Sequence, residues 1–373
     1  MSWLSNAFFY VIPFLLIFTI VVFIHELGHF WAARKNGITV KIFSIGIGPE
    51  ILGYTDQQGT RWRLSAIPFG GYVMMMTNLD EEREESGAAD PGDLFEKSPW
   101  QRFCVSVAGP LFNYLSAIVL LSSIYVVTGR PESSLLVREA LENSPAAAAG
   151  ILPGDIITHI NATPVATFRE LRKVLGKGIP DISVSVRLLR DEEAIEKRLV
   201  PSYIEKNNIF GYPVPIFSIG ALLAEGKIQA LSWPAALWYG VKDVCTMSAD
   251  MASALGGIFL GTQPIGNLGG PVRIAEMAGD ISKSGSWTHI LLFIVTLSIN
   301  LGLINLFPLP GADGGTAVLC LFEGTFGRPL SMRVREIVGY CGLAMIGSLM
   351  ALSLGNDLWQ MPAFQKLWHF LGF

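Results

Sequence analysis

From Met1 to Ile24 the chain carries no Asp, Glu, Lys or Arg. Crossing the apolar core of a bilayer takes about 20 residues of helix, so this run is long enough to do it. Three further stretches repeat the pattern, at residues 104–128, from about Leu291 to Phe307, and from about Val338 to Leu354. Backbone inside lipid must satisfy its own hydrogen bonds, which makes each run a helix. Charged residues are only 16% of the chain, against about 25% in soluble proteins. The expected fold class is a polytopic α-helical membrane protein with about four transmembrane helices. The first run lacks a basic leader, is too long for a signal-peptide core and has no convincing cleavage site, so residues 7–31 are read as a first span.

Residues 230–260 are apolar but interrupted by Lys242, Asp243 and Asp250, which suits an amphipathic helix on the membrane surface. Basic residues orient the spans. None precedes the first span, whereas the loop after it carries Arg34, Lys35, Lys41, Arg61, Arg63, Arg83, Lys97 and Arg102, and the loop before the fourth carries Arg328, Arg333 and Arg335. Both loops are expected to be cytoplasmic, leaving residues 130–288 and both termini outside. The net charge is −4 with no long basic run, so no nucleic-acid partner is expected. The cysteines at 104, 245, 320 and 341 form no CxxC pair and are read as small buried hydrophobes.

Two regions between spans look different. Strands are expected at Leu135-Leu136-Val137 and Ile182 to Val186, with a helix from Thr167 to Leu175 capped by Thr167, and a turn over Gly150 to Ile157. This pattern resembles a PDZ domain of the bacterial protease type over about 131–205. Residues Val40 to Met76 alternate apolar and polar side chains and are rich in glycine, the mark of membrane-associated β-hairpins beside the first span. An acidic loop follows at Asp80 to Glu85.

At the inner end of the first span stands His25-Glu26-Leu27-Gly28-His29. Four-residue spacing puts both imidazoles on one helix face, one turn apart, as two zinc ligands require. Glu26 between them is placed to work on water activated at such a site. A Glu at the end of an apolar helix is costly unless it has a task. Catalytic zinc commonly takes three protein ligands. The other histidines, His159, His289 and His369, are expected on the wrong side or at the periphery, which points to a carboxylate. In Asn305-Leu306-Phe307-Pro308-Leu309-Pro310-Gly311-Ala312-Asp313-Gly314-Gly315, two prolines and three glycines break the helix after the third span. Broken backbone at membrane depth belongs where it lines a site, and Asp313 is the candidate ligand there.

Together, HExxH in the first span, NxxPxPxxDGG after the third and the PDZ-like segment resemble the site-2 protease family, and within it the regulator-of-sigma-E protease branch with a single PDZ domain. Ala108-Gly109-Pro110-Leu111-Phe112-Asn113 and Gly269-Gly270-Pro271-Val272 share in the resemblance. It implies one zinc ion held by His25, His29 and Asp313, with Glu26 as catalytic acid/base. Substrate binding is expected at Asn305, Pro308, Pro310, Gly70 and Gly71. The implied substrates are transmembrane proteins, single-span signalling proteins or signal-peptide remnants after a first cut, in the inner membrane of a bacterium. The lipid bilayer itself is a partner. The alternative is a non-catalytic membrane scaffold with a structural zinc. Ala312 stands where the family usually has Leu. The expected segments are 1–35 (first span), 36–102 (hairpins and loop), 103–129 (second span), 130–205 (PDZ), 206–288 (surface helices), 289–325 (third span with Asp-Gly-Gly) and 326–373 (fourth span and tail).

Overall fold

Among the described residues, four helices are long and apolar enough to cross a membrane. They belong to a computed structural model that describes residues 2–77, 92–131, 135–175, 182–207, 213–224, 228–260, 270–328 and 330–360. The acidic loop at 80–85, Gly269 and His369 lie outside the described residues. The chain divides into two units, one of Met1–Ile124 with Leu237–Phe373, the other of Tyr125–Ala236.

The first unit opens with α1 (Ser2–Lys35), longer at both ends than the 7–31 read from hydropathy. Next come β1 (Val40–Thr55), β2 (Arg61–Met75) and α2 (Pro99–Thr128). The hairpin pairs in more ways than alternation alone suggests. Ile45 of β1 pairs with Leu64 on one side and Gly71 on the other, while Thr55 pairs with Arg61 and Val40 with Met75. Both strands therefore bend back, giving four short rungs in the order 50–55, 61–64, 42–45 and 71–75. Gly46 and Gly70, both at φ +83°, supply the bends, since a positive φ strains any residue with a Cβ. Phe43 stacks on Trp62 with centroids 4.4 Å apart, closing a core with Phe30, Ala33, Ile38, Val40 and Val105. At the far side Phe69 stacks on Phe18 at 5.0 Å, and Thr19 Oγ1 donates to the Pro68 carbonyl at 3.1 Å. The hairpin thus packs along the middle of the first candidate span.

The turn of the hairpin is tied to the end of α1. Asp56 accepts from the backbone N–H groups of Gln58 and Thr60, from Trp62 Nε1 and from Arg34. Partial burial alone would raise its carboxyl, but the hydrogen bonds from Trp62, Arg34 and the backbone outweigh it and hold the group down at about 2.

The second unit holds β3 (Arg130–Pro131), β4 (Val137–Ala140), α3 (Pro145–Ala148), β5 (Ile156–Ile160), β6 (Thr163–Pro164), α4 (Phe168–Leu175), β7 (Val184–Arg190), β8 (Glu193–Leu199), β9 (Ser202–Asn207), β10 (Pro213–Ser218), β11 (Ala221–Leu223) and β12 (Ile228–Gln229). Its main sheet runs β6-β5-β7-β8, all antiparallel. Val186 and Leu188 alternate inward from β7 and join Leu135, Ile157, Ile160 and Leu171 in one apolar core. The expected α4 is present with a capping box: Thr167 Oγ1 accepts from Glu170 N, and Glu170 accepts in return from Thr167 N and Ala166 N. Asp155, fully buried, accepts from Arg190 and from Leu152 N. The Arg190 guanidinium holds its carboxyl below the ordinary range. The compact unit reaches from 125 to 236, wider than 130–205. The described residues at 213–218, 221–223 and 228–229 are strands rather than surface helices, because β11 pairs with β4 and β12 with β3.

The first unit resumes in α5 (Trp233–Phe259), α6 (Pro271–Lys283), α7 (Trp287–Leu306), α8 (Asp313–Phe326) and α9 (Met332–Gln360). Among them, α7 and the 333–357 part of α9 are candidate spans, whereas α5 is not, in keeping with its three interrupting charges. Hydropathy does not reveal α6. It packs against α1 and α7 through Ala278 in a cluster with Phe14, Ile17, Val21, Phe293 and Leu297. Its first turn is capped from α9, where Asp357 accepts from the N–H groups of Gly270, Val272 and Arg273 at 3.1–3.2 Å. A Cβ on Gly270 would lie 2.3 Å from that carboxylate, which accounts for a glycine before Pro271.

Candidate metal centre

His25 and His29 project from adjacent turns of α1, as their spacing predicts, with both side chains buried. Asp313 reaches them from the other end of the chain. The described structure differs from a simple break after the third span. α7 stops at Leu306, residues 307–312 run as an irregular connection with Gly311 at φ +83°, and Asp313 is the first residue of a new helix, α8. Its two glycines have separate duties. A Cβ on Gly314 would sit 2.3 Å from the carbonyl oxygens of Leu306 and Phe307, and one on Gly315 would sit 2.2 Å from that of Leu309. The Asp-Gly-Gly sequence therefore lets α8 start against the carbonyls of Leu306, Phe307 and Leu309. Ala312 is the N-cap residue and offers no side-chain cap.

The three side chains converge. His25 Nε2 lies 3.0 Å and His29 Nε2 3.3 Å from the same Asp313 oxygen, Oδ2, and the two Nε2 atoms are 3.2 Å apart. Zinc bonds of about 2.0–2.1 Å at tetrahedral angles put ligand atoms roughly 3.3 Å from one another. The separations here match that spacing. The donor chemistry fits as well, because His29 Nδ1 lies 2.8 Å from the Val105 carbonyl. That carbonyl can only accept, so Nδ1 carries the proton and Nε2 is left with its lone pair. Among the described residues this is the group of His, Cys, Asp and Glu side chains close enough to hold a metal. His159 and His289 are not part of it.

Close helix approach makes the convergence possible. A Cβ on Gly28 would lie 2.4 Å from the Ala108 carbonyl, so α1 and α2 touch backbone to backbone, as small residues allow between apolar helices. Glu26 faces the hairpin: a Cβ on Gly71 would lie 3.7 Å from its Cγ, and the Val73 backbone lies beside its carboxylate. Histidines, Glu26 and Asp313 line a cavity of about 550 Å³ together with Tyr72, Val73, Met75, Ser106, Asn305 and Thr316. Of the expected substrate-binding residues, Asn305 lines this cavity, its Nδ2 3.3 Å from His25 Nε2. Gly71 flanks Glu26. Pro308, Pro310 and Gly70 shape the connection and the hairpin bend without lining the cavity.

At the other end of the cavity is a cluster that the sequence analysis did not single out. Glu323 of α8 is buried and bonded to Arg102 of α2, to Arg335 of α9 at 2.6 Å and to Leu330 N at 3.0 Å. A lone Glu in the apolar run of α8 was the available signal, since buried charge in such a helix requires partners.

Known proteins resemble this chain over most of its length. Peptidase family M50 matches residues 13–349. A zinc metalloprotease of Agrobacterium fabrum is 34% identical over 361 residues, covering 94% of this chain and 95% of that one. One of Mesorhizobium japonicum is 32% identical, covering 93% and 98%. A metalloprotease of Caulobacter vibrioides is 29% identical, covering 95% and 96%.

Proposed function

The chain belongs to peptidase family M50 and is a membrane zinc metalloprotease of the site-2 type, and from that premise we propose that it hydrolyses peptide bonds within or beside transmembrane segments of other membrane proteins. The observation that carries the proposal is the position of Glu26: one residue from a three-ligand cluster, in a cavity, on a helix long enough to span a bilayer. A structural zinc in a scaffold would need the ligands but not this carboxylate.

His25, His29 and Asp313 would hold the ion. Bound zinc supplies a Lewis acid for the scissile carbonyl and makes water acidic enough to attack near neutral pH. Glu26 takes the proton from the attacking water and passes it to the leaving nitrogen. The Val73 backbone lies beside the Glu26 carboxylate. Asn305, beside His25, is placed to bond the substrate backbone.

A helical substrate must first give up its own hydrogen bonds. The 71–75 rung pairs on one side with 40–45, and Tyr72, Val73 and Met75 of this rung line the cavity. This supports capture of an unwound substrate as an added strand. Exposed Ile51, Leu52, Tyr54 and Ile67 support a hairpin in contact with lipid. Proline substitutions along 71–75, Val73 excepted, are expected to reduce cleavage while zinc content stays normal. Unchanged cleavage would remove strand addition from the account.

The distribution of Lys and Arg supports a cavity open to the cytoplasm of a bacterial inner membrane, with Tyr125–Ala236 and both termini outside. We read that unit as a PDZ-type domain acting as a size filter. The N–H of Gly220, at the turn before β11, is taken up by Ser218 Oγ at 3.0 Å, which leaves it unavailable to a peptide carboxylate. Substrates are then single-span proteins already trimmed outside the membrane, such as signalling proteins or signal-peptide remnants. The direct test is cleavage of a model transmembrane substrate in detergent by wild type and Glu26→Gln, with zinc measured in both. Loss of cleavage by about 10²–10⁴-fold with zinc retained is expected of a general base. Equal cleavage would defeat the proposal.

A further inference from the structure

We propose that α2 is the positioning element of the metal centre, and that Asn113 fixes His25 in its ligating form by accepting a hydrogen bond from Nδ1. The inference rests on the zinc reading above.

Val105, Gly109 and Asn113 recur every four residues and so form one stripe on α2. Each member meets an imidazole. The Val105 carbonyl holds His29 Nδ1 at 2.8 Å. At Gly109 a Cβ would come within 2.3 Å of His29 Nε2 and 2.8 Å of His25 Cε1, so the missing side chain is the space the two rings occupy. Asn113 is fully buried and its amide lies 3.2 Å from His25 Nδ1.

The amide's orientation follows from the chemistry of its neighbour. A neutral imidazole has one N–H and one lone pair. If His25 Nε2 turns its lone pair to a metal beside Asp313, then Nδ1 carries the proton and needs an acceptor. The two ends of an Asn amide are distinguished only by their partners. With Nδ2 set against Nδ1, the buried Oδ1 has no partner. With Oδ1 set there instead, the oxygen gains the donor it lacks and His25 is locked as a ligand. Both histidines are then oriented from one helix, by a main-chain oxygen for His29 and a side-chain oxygen for His25. This gives Gly109-Pro110-Leu111-Phe112-Asn113 a task that neither span formation nor catalysis requires.

The test uses the full chain in detergent, with zinc affinity measured by chelator competition and the unfolding midpoint of the metal-free protein as a check on folding. Asn113→Leu keeps the size and removes the acceptor. It should weaken zinc binding about 10–100-fold, the range for loss of a partner behind a ligand. Asn113→Asp keeps an accepting oxygen and should bind zinc at least nearly as tightly as wild type. Gly109→Ala, which places a methyl on the ligand atoms, should lose zinc altogether. The proposal is overturned if Asn113→Leu matches wild type, or if Asn113→Asp falls as far as Asn113→Leu. Should Asn113→Leu fail to fold, the Asp variant decides alone. Wild type without zinc would overturn the metal centre and this inference with it, whereas tight wild-type binding with an indifferent Asn113 would overturn the positioning role only.

Discussion

In the unit spanning Tyr125–Ala236, Leu135, Val137, Ile157, Ile160, Val186 and Leu188 fill the interior and charged side chains cover the strands. In the helical unit, Phe9, Leu16, Trp31, Leu111 and Val119 stand exposed, while His25, His29, Asn113, Ser298 and Glu323 are buried. Water explains the first arrangement, because removing apolar surface from it drives burial. Lipid is as apolar as leucine and gives helices no such drive, so close packing of small residues and polar contacts decide how they assemble. Gly28 against Ala108, the Glu323 cluster and the Asp357 cap on α6 are those contacts here. The difference shows where to look for function. In the Tyr125–Ala236 unit a buried polar residue such as Asp155 braces a turn. In the helical unit buried His25, His29, Arg102, Ser106 and Glu323 line one cavity.

The comparison can be broken by substitution. Glu323→Ala should have the largest effect on stability, about 3–5 kcal/mol, because it strands buried Arg102 and partly buried Arg335 without their carboxylate. Detergent denaturation of the full chain measures it, and a cost near zero would mean that α2, α8 and α9 are held by apolar packing after all. Leu188→Ala in the core of the Tyr125–Ala236 unit should cost about 2–5 kcal/mol by leaving a cavity. Asp155→Asn should cost on the order of 2 kcal/mol, since a charged acceptor is lost. Because the folded carboxyl of Asp155 is depressed, its contribution is present above the ordinary Asp range and is lost as pH falls through the folded value. The gap between wild type and Asp155→Asn should therefore narrow in acid, and a gap that widens would contradict the pairing. The smallest effect is expected for Leu16→Ala, within about 0.5 kcal/mol, because Leu16 is 62% exposed and meets lipid.

These contrasts also explain what could be read from the sequence. The four spans and the His25–His29 pair are periodic or local, and helix geometry alone places them. Asp313 was reachable because its helix is visibly broken and the zinc site lacked a ligand. Its role as the first residue of α8 was not, since that depends on Gly314 and Gly315 fitting against carbonyls of 306–309. The doubled pairing of Ile45 follows from bends at Gly46 and Gly70, and alternation cannot show a strand paired on both sides by the same partner. α6 falls in the segment 206–288 read as surface helices, but its packing against α1 and α7 was not legible, because Arg273, Glu276 and Asp280 interrupt its apolar pattern. Glu323 and Asp357 are acids in largely apolar helices that the sequence analysis did not single out, because their partners lie on other elements. Asn113 gave no signal apart from the family resemblance, because its partner is a ring 88 residues away in sequence.

The central claim is that one metal site is assembled from the two ends of the chain. Zinc stoichiometry of purified wild type, Glu26→Gln and Asp313→Ala tests it most directly. The account predicts one zinc per chain in the first two, and loss in Asp313→Ala at a chelator concentration that leaves the others loaded. Full zinc occupancy in Asp313→Ala under the same conditions would contradict it.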